Sequence, residues 1–107
     1  MGTKIKLPIL YRIKNEQGYV IDKTLTLLKT FNTSVIPTIE MNIVALAFSN
    51  NTHKDIYFSS EISSIDIDVD HDLYLIKLEP LRYHWNNEQE AQIFLDHIKE
   101  NNWEIIS

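Results

Sequence analysis

The chain has 107 residues, a formal net charge of −5 and a pI near 5.2. That length fits one domain, residues 1–107, able to bury roughly two-thirds of its unfolded surface. Hydrophobic residues make up 44% and charged residues 23%, a globular rather than disordered balance, and the lack of cysteine excludes a disulfide framework, a thiolate metal site and a cysteine nucleophile.

From the start, Ile5, Leu7, Ile9, Tyr11 and Ile13 fall on every second position, with Lys4, Lys6, Arg12 and Lys14 between them. Period two predicts a strand with one buried face. Pro8 cannot donate a ladder hydrogen bond, which predicts an edge strand or a bulge there. Outward lysines would discourage edge-to-edge aggregation. The same alternation denies Met1 to Lys14 the unbroken apolar core of a signal peptide.

Asn15 to Gly18 reads as a turn. Tyr19 to Leu28 fits either a strand or a short helix capped by Asp22. Thr24, Thr26 and Val20 favour the strand, which makes a hairpin. Pro37 keeps Ile36 extended. Ile43 to Phe48 is apolar throughout and predicts a central strand covered on both faces, where Leu46→Asp would bury an unpaired charge. This is the longest apolar run, far short of the roughly 20 residues that span a bilayer. The expectation is a soluble, cytoplasmic protein with no membrane insertion.

Ser49 to Asp55 is polar and reads as a connection. Ile56–Ser59 predicts a short strand and Ile62–Val69 another, with Ile65, Ile67 and Val69 inward and Ser64, Asp66 and Asp68 outward. Asp70-His71-Asp72 turns the chain, Leu73–Leu78 returns as a strand, and Leu81–Trp85 makes one more. Asn87 followed by Glu90 resembles a capping box. Glu88 and Glu90 suit the first turn of a helix and Lys99 its last. Ala91, Phe94, Leu95 and Ile98 form one apolar stripe, so a helix is predicted over 87–100. Asn101-Asn102 supplies a left-handed cap. The tail from Trp103 to Ile106 is apolar enough to dock as a last strand or latch.

The predicted fold class is α+β. Six or seven short antiparallel strands form a curved sheet or half-open barrel, followed by one C-terminal helix laid on the sheet. From Ile56 to Ile98 the order of strand, Ser60-Glu61-Ile62, strand, turn, strand and helix resembles pleckstrin-homology-like and GRAM-type domains. The resemblance implies seven strands before one helix. Members that bind phosphoinositides through a basic first hairpin carry cations around its loop. Here Arg12, Lys14 and Lys23 flank Asn15 to Gly18 loosely, with Glu16 inside it.

Charge is uneven along the chain, with a net of +4 up to Lys29 and −9 from Thr30 onward. The two parts are expected to neutralise each other across the sheet, or else the acidic part faces a basic partner. Acidity argues against nucleic acid as that partner. Asp66, Asp68, Asp70 and Asp72 form the most conspicuous cluster. The first three match alternate positions of a calcium loop, but His71 stands where glycine is needed and Lys77 where the closing glutamate belongs. Alternate aspartates are otherwise simply the solvent face of a strand. His53, His71, His84 and His97 lack zinc-site spacing. Neither glycine adjoins a serine, so no nucleophile turn is present. Tyr83 and Trp85, with Arg82 and His84 among them and Trp103 beyond the helix, suit either structural contacts or an interaction surface.

These features predict no catalysis, no metal and no cofactor. The expected function is a protein-binding module, in one version a small acidic inhibitor or immunity-type protein acting on a basic partner. Its partner-binding residues would be Asp66, Asp68, Asp70, Asp72, Tyr83 and Trp85. The alternatives are an assembly subunit or homo-oligomer pairing through the N-terminal strand, and a small-ligand domain or enzyme in a half-open barrel.

Overall fold

Seven strands and one helix follow each other in a computed structural model that describes residues 2–32, 34–49 and 55–106. They are β1 (Gly2–Lys14), β2 (Val20–Asn32), β3 (Asn42–Ser49), β4 (Asp55–Asp68), β5 (Leu73–Leu78), β6 (Leu81–Trp85), α1 (Glu88–Glu100) and β7 (Glu104–Ile106). The sheet runs β3-β4-β5-β1-β2-β7, with β6 also paired to β1, and it does not close. His53 and the connection over 50–54 lie outside the described residues, as does the Leu46 side chain on which the Leu46→Asp expectation rests.

β1 behaves as its alternation requires. Thr3, Ile5, Leu7, Ile9 and Ile13 are buried, while Lys6, Arg12 and Lys14 are exposed. Each fully buried Ile or Leu contributes roughly 1.5–3 kcal/mol of transfer free energy. The ambiguous second segment is a strand. Val20 to Asn32 pairs with the whole of β1, and Gly18 takes a φ of 84° in the connecting turn. Asp22 caps no helix but makes an ion pair with Arg12 at 2.8 Å, across the hairpin.

β1 is not an edge strand. It lies between β2 on one side and β5 and β6, end to end, on the other. Both of those latter pairings are parallel, so the sheet is mainly rather than wholly antiparallel. The likeness to pleckstrin-homology-like order stops there, and one strand follows the helix. With both edges of β1 occupied, the premise of self-pairing through the N-terminal strand is removed.

The apolar Ile43–Phe48 segment is not central either. β3 ends the strand order, its described neighbour is β4 alone, and Val44 is 61% exposed. Ile43 and Ala45 reach the core from one face, and α1 rather than a further strand lies close to β3. The two strands expected over 56–69 are one. β4 pairs with β3 through residues 55–61 and with β5 through 62–68, and a bulge between Ile62 and Ser64 marks the change. Ser60 and Ser63 satisfy the strand around this bend by donating to the Glu79 and Lys77 carbonyls. Ile65 turns inward as expected, but Ile67 and Val69 are 58% and 83% exposed. Ile65 is thus the last β4 side chain before the hairpin turn that packs on the core.

The helix begins where its cap residue stands. The Asn87 side chain accepts from the Glu90 N–H at 2.9 Å, and the Glu90 carboxylate accepts from the Asn86 N–H at 2.9 Å. At its end Asn102 takes a φ of 68°, turning the chain so that Trp103 is buried. The tail then docks, as β7 against β2. Phe58 of β4 joins this assembly through edge-on contacts to Tyr83, Phe94 and Trp103, which tie β4, β6, the helix and the tail together.

Candidate functional site

The aspartate cluster occupies the β4–β5 hairpin. Asp66 faces outward opposite Leu75. Asp68 ends β4 and accepts hydrogen bonds from the His71 backbone N–H at 3.2 Å and its Nδ1 at 2.9 Å. Partial desolvation works to raise the Asp68 carboxyl, but the His71 hydrogen bonds and charge outweigh it and hold Asp68 below the ordinary carboxylate value. Asp72 takes a left-handed φ of 54°, and its carbonyl receives the Gly2 N–H. Asp70 and Asp72 are exposed on the turn. Among the described residues no three His, Asp or Glu side chains are grouped to hold a metal ion.

Tyr83 and Trp85 stand on the inward face of β6. They stack with ring centroids 5.6 Å apart, and Phe94 of the helix lies 5.1 and 4.9 Å from them. Tyr11 meets Trp85 edge-on at 4.9 Å. These rings seat the helix on the sheet, and burial pushes the Tyr83 phenol up. The structure does not bring them to the aspartates. The hairpin adjoins Gly2 at one end of β1, while Trp85 pairs with Ile13 at the other. At about 3.3 Å per residue Gly2 and Ile13 are roughly 35 Å apart, and the nearer members, Asp66 level with Lys4 and Tyr83 level with Tyr11, roughly 23 Å.

A different surface comes together on the outward face. The outward residues of β1 are Lys4, Lys6, Pro8, Leu10, Arg12 and Lys14. β5 and β6 place Lys77 beside Lys6, Arg82 beside Leu10 and His84 beside Arg12. With the partners on β2 included, this band holds six cations (Lys4, Lys6, Arg12, Lys14, Lys77, Arg82) against one carboxylate, Asp22. Its net charge of +5 leaves −10 for the rest of a chain whose total is −5. Arg12–Asp22 is the one Lys or Arg ion pair among the described residues. Asp66 on β4 and Glu104 on β7 stand on the same face at its margins, so the cations concentrate in the band and not over the whole face. The cationic row on β1 was readable from its alternation. Its widening by Lys77 and Arg82 depends on parallel pairing, which leaves no local pattern.

Two open hollows lie along this band. One, of about 410 Å³, is lined by Lys4, Lys6, Lys77, Asp66, Leu75 and Ile106 among others. The other, of about 460 Å³, is lined by Leu10, Arg12, Thr24, Arg82 and His84 among others. On the inner side an apolar niche of about 200 Å³ opens between Phe31, Pro37, Met41 and Ile43. It is smaller than the roughly 300–1,000 Å³ of most small-molecule sites. Comparison with protein-family models, with curated proteins and with solved structures finds nothing that matches this chain.

Proposed function

We propose that this protein is a non-catalytic protein-binding module that selects its partner by charge. The observation that carries the reading is the concentration of charge in one band, at +5, against −10 for the rest of the chain. Such a concentration produces surface potentials that steer encounter and reject wrong partners. In the form we favour, the acidic surface engages a basic partner, as a small inhibitor or immunity-type protein would. Asp70 and Asp72 on the hairpin and Glu88, Glu90, Asp96 and Glu100 on the helix are exposed to do so. The test is affinity capture from the native cell followed by binding kinetics with the captured protein. Association that slows with added salt and with charge reversal at Asp66, Asp68 and Asp70 supports the proposal. Indifference to both counts against it.

The ends of the sheet favour an assembly role as a second reading. β3 and β7 are terminal in the strand order, and β7 covers only Thr26 to Leu28 of β2. Free strand edges recruit further strands. Light scattering separates the two readings, since a strict monomer at high concentration removes self-assembly.

A further inference from the structure

We propose that the outward face of β1, β5 and β6 is a second docking surface, for an acidic partner protein whose extended segment carries both carboxylates and apolar side chains. This goes beyond the basic-partner reading, because it assigns the opposite sign of partner to the opposite face. It rests on three observations.

The first is a concentration of like charge that outnumbers the nearby carboxylates Asp22 and Asp66. Lys6 stands directly beside Lys77 across the parallel β1–β5 pair, and Lys4 is the next outward residue on β1. None of Lys4, Lys6, Lys77 and Arg82 has an ion-pair partner among the described residues. Like charges side by side on a sheet face weaken it, so this arrangement costs the isolated fold and is relieved by an anionic occupant. The second is shape. The band is broken by the two hollows, where Leu10, Leu75 and Ile106 lie among the cations. Apolar contact with charged side chains around it suits a protein segment.

The third observation distinguishes protein from nucleic acid. No Phe, Tyr or Trp side chain stands at an outward register of β1, β5 or β6, where His84 is the one ring. Tyr11, Tyr74, Tyr83 and Trp85 all occupy inward registers. A nucleic-acid face of this kind would use rings to stack bases. The band is also flanked by Asp66 on β4 and Glu104 on β7. Those carboxylates, with the −8 beyond them, repel a long polyanion that runs past the band but tolerate a short acidic segment within it.

The test uses the whole chain and a labelled peptide of Glu-Leu-Glu-Thr repeats, about ten residues long. In extended form such a peptide covers the distance from Lys4 to Arg12. Binding is followed by fluorescence anisotropy and mapped by backbone amide shifts. The expected result is salt-sensitive binding with shifts centred on Lys6, Leu10, Lys77 and Arg82. The Lys6→Glu/Lys77→Glu/Arg82→Glu variant should weaken it at least about tenfold, and the corresponding Gln variant by less. Asp70→Lys/Asp72→Lys, which disables the hairpin, should leave peptide binding intact, so this proposal and the basic-partner reading fail separately. Thermal melts establish that each variant folds. The proposal is overturned by no peptide binding, by shifts on the helix side, or by tighter binding of a single-stranded oligonucleotide of equal charge at the same residues. Concentration-dependent dimerisation abolished by the Glu variant also overturns it and assigns the face to a second copy of the chain.

Discussion

Phe58→Ala is the perturbation that probes the architecture most directly. Phe58 is 2% exposed and makes edge-on contacts with Tyr83 at 6.5 Å, Phe94 at 6.1 Å and Trp103 at 5.5 Å. Removing a buried phenyl ring costs about 3–5 kcal/mol through lost transfer energy and the cavity left behind. Aromatic pairs add about 0.5–1.5 kcal/mol beyond their burial, which places this site near 4–5 kcal/mol, toward the upper end of that range. A domain of this size has a total stability of about 5–15 kcal/mol. At about 4–8 °C per kcal/mol, the melting temperature should fall by roughly 16–40 °C. Urea unfolding is the suitable assay, because the intrinsic fluorophores Trp85 and Trp103 both lie within this aromatic assembly. Phe58→Leu retains part of the volume and should lose only about 1–2 kcal/mol. A loss below about 1 kcal/mol for the alanine variant would refute the reasoning. It would mean that the first half of β4 is not folded against the helix and tail.

Two further outcomes follow from local chemistry. Asn87→Ala removes the acceptor for the Glu90 N–H and should destabilise the domain by about 1 kcal/mol in the same urea assay; no change would show that the helix does not depend on its cap. Asp68, held below the ordinary carboxylate value of 3.8 by His71, should contribute stability that is complete above pH 3.8 and is lost as pH falls through its lower folded value. A carboxyl NMR titration checks this, with His71→Ala expected to move Asp68 upward, and a wild-type midpoint at or above 3.8 would contradict it.

What the sequence discloses is what is encoded within a few residues. The β1 alternation, the Asn15–Gly18 turn, the Asn87 cap and the helical stripe of Ala91 and Ile98 all appear where expected, because each is set by neighbours at short spacing. Ile67 and Val69 show the limit. Their alternation with Asp66 and Asp68 is real, but alternation says only that two faces differ. Whether the apolar face is covered depends on which distant elements pack over it, and nothing local encodes that. The apolar run from Ile43 implied cover on both sides in the same way, and it was assigned to the centre of a sheet whose edge it forms. For Tyr83 and Trp85, sequence could state two uses of an aromatic ring but not which elements meet there, since Phe94 and Tyr11 arrive from other parts of the chain.

Pro8 explains why the largest misreading and the most interesting surface share a cause. A proline inside a strand argues for an edge when the neighbouring strand is continuous, because a donor is then missing from the ladder. Here the neighbour is two short strands. β5 stays beside β1 as far as Lys6 opposite Lys77, β6 resumes at Ile9 opposite Leu81, and Glu79 and Pro80 occupy the interval. Pro8 therefore stands where no ladder is being made on that side, and a central strand accepts it. The same interruption carries the chain from β5 to β6 while keeping both parallel to β1. It thereby puts Lys77 and Arg82 in line with the cations of β1 on one face. Proline at this position and a cationic band beside it are thus two consequences of one connection, and neither is visible until the chain is folded.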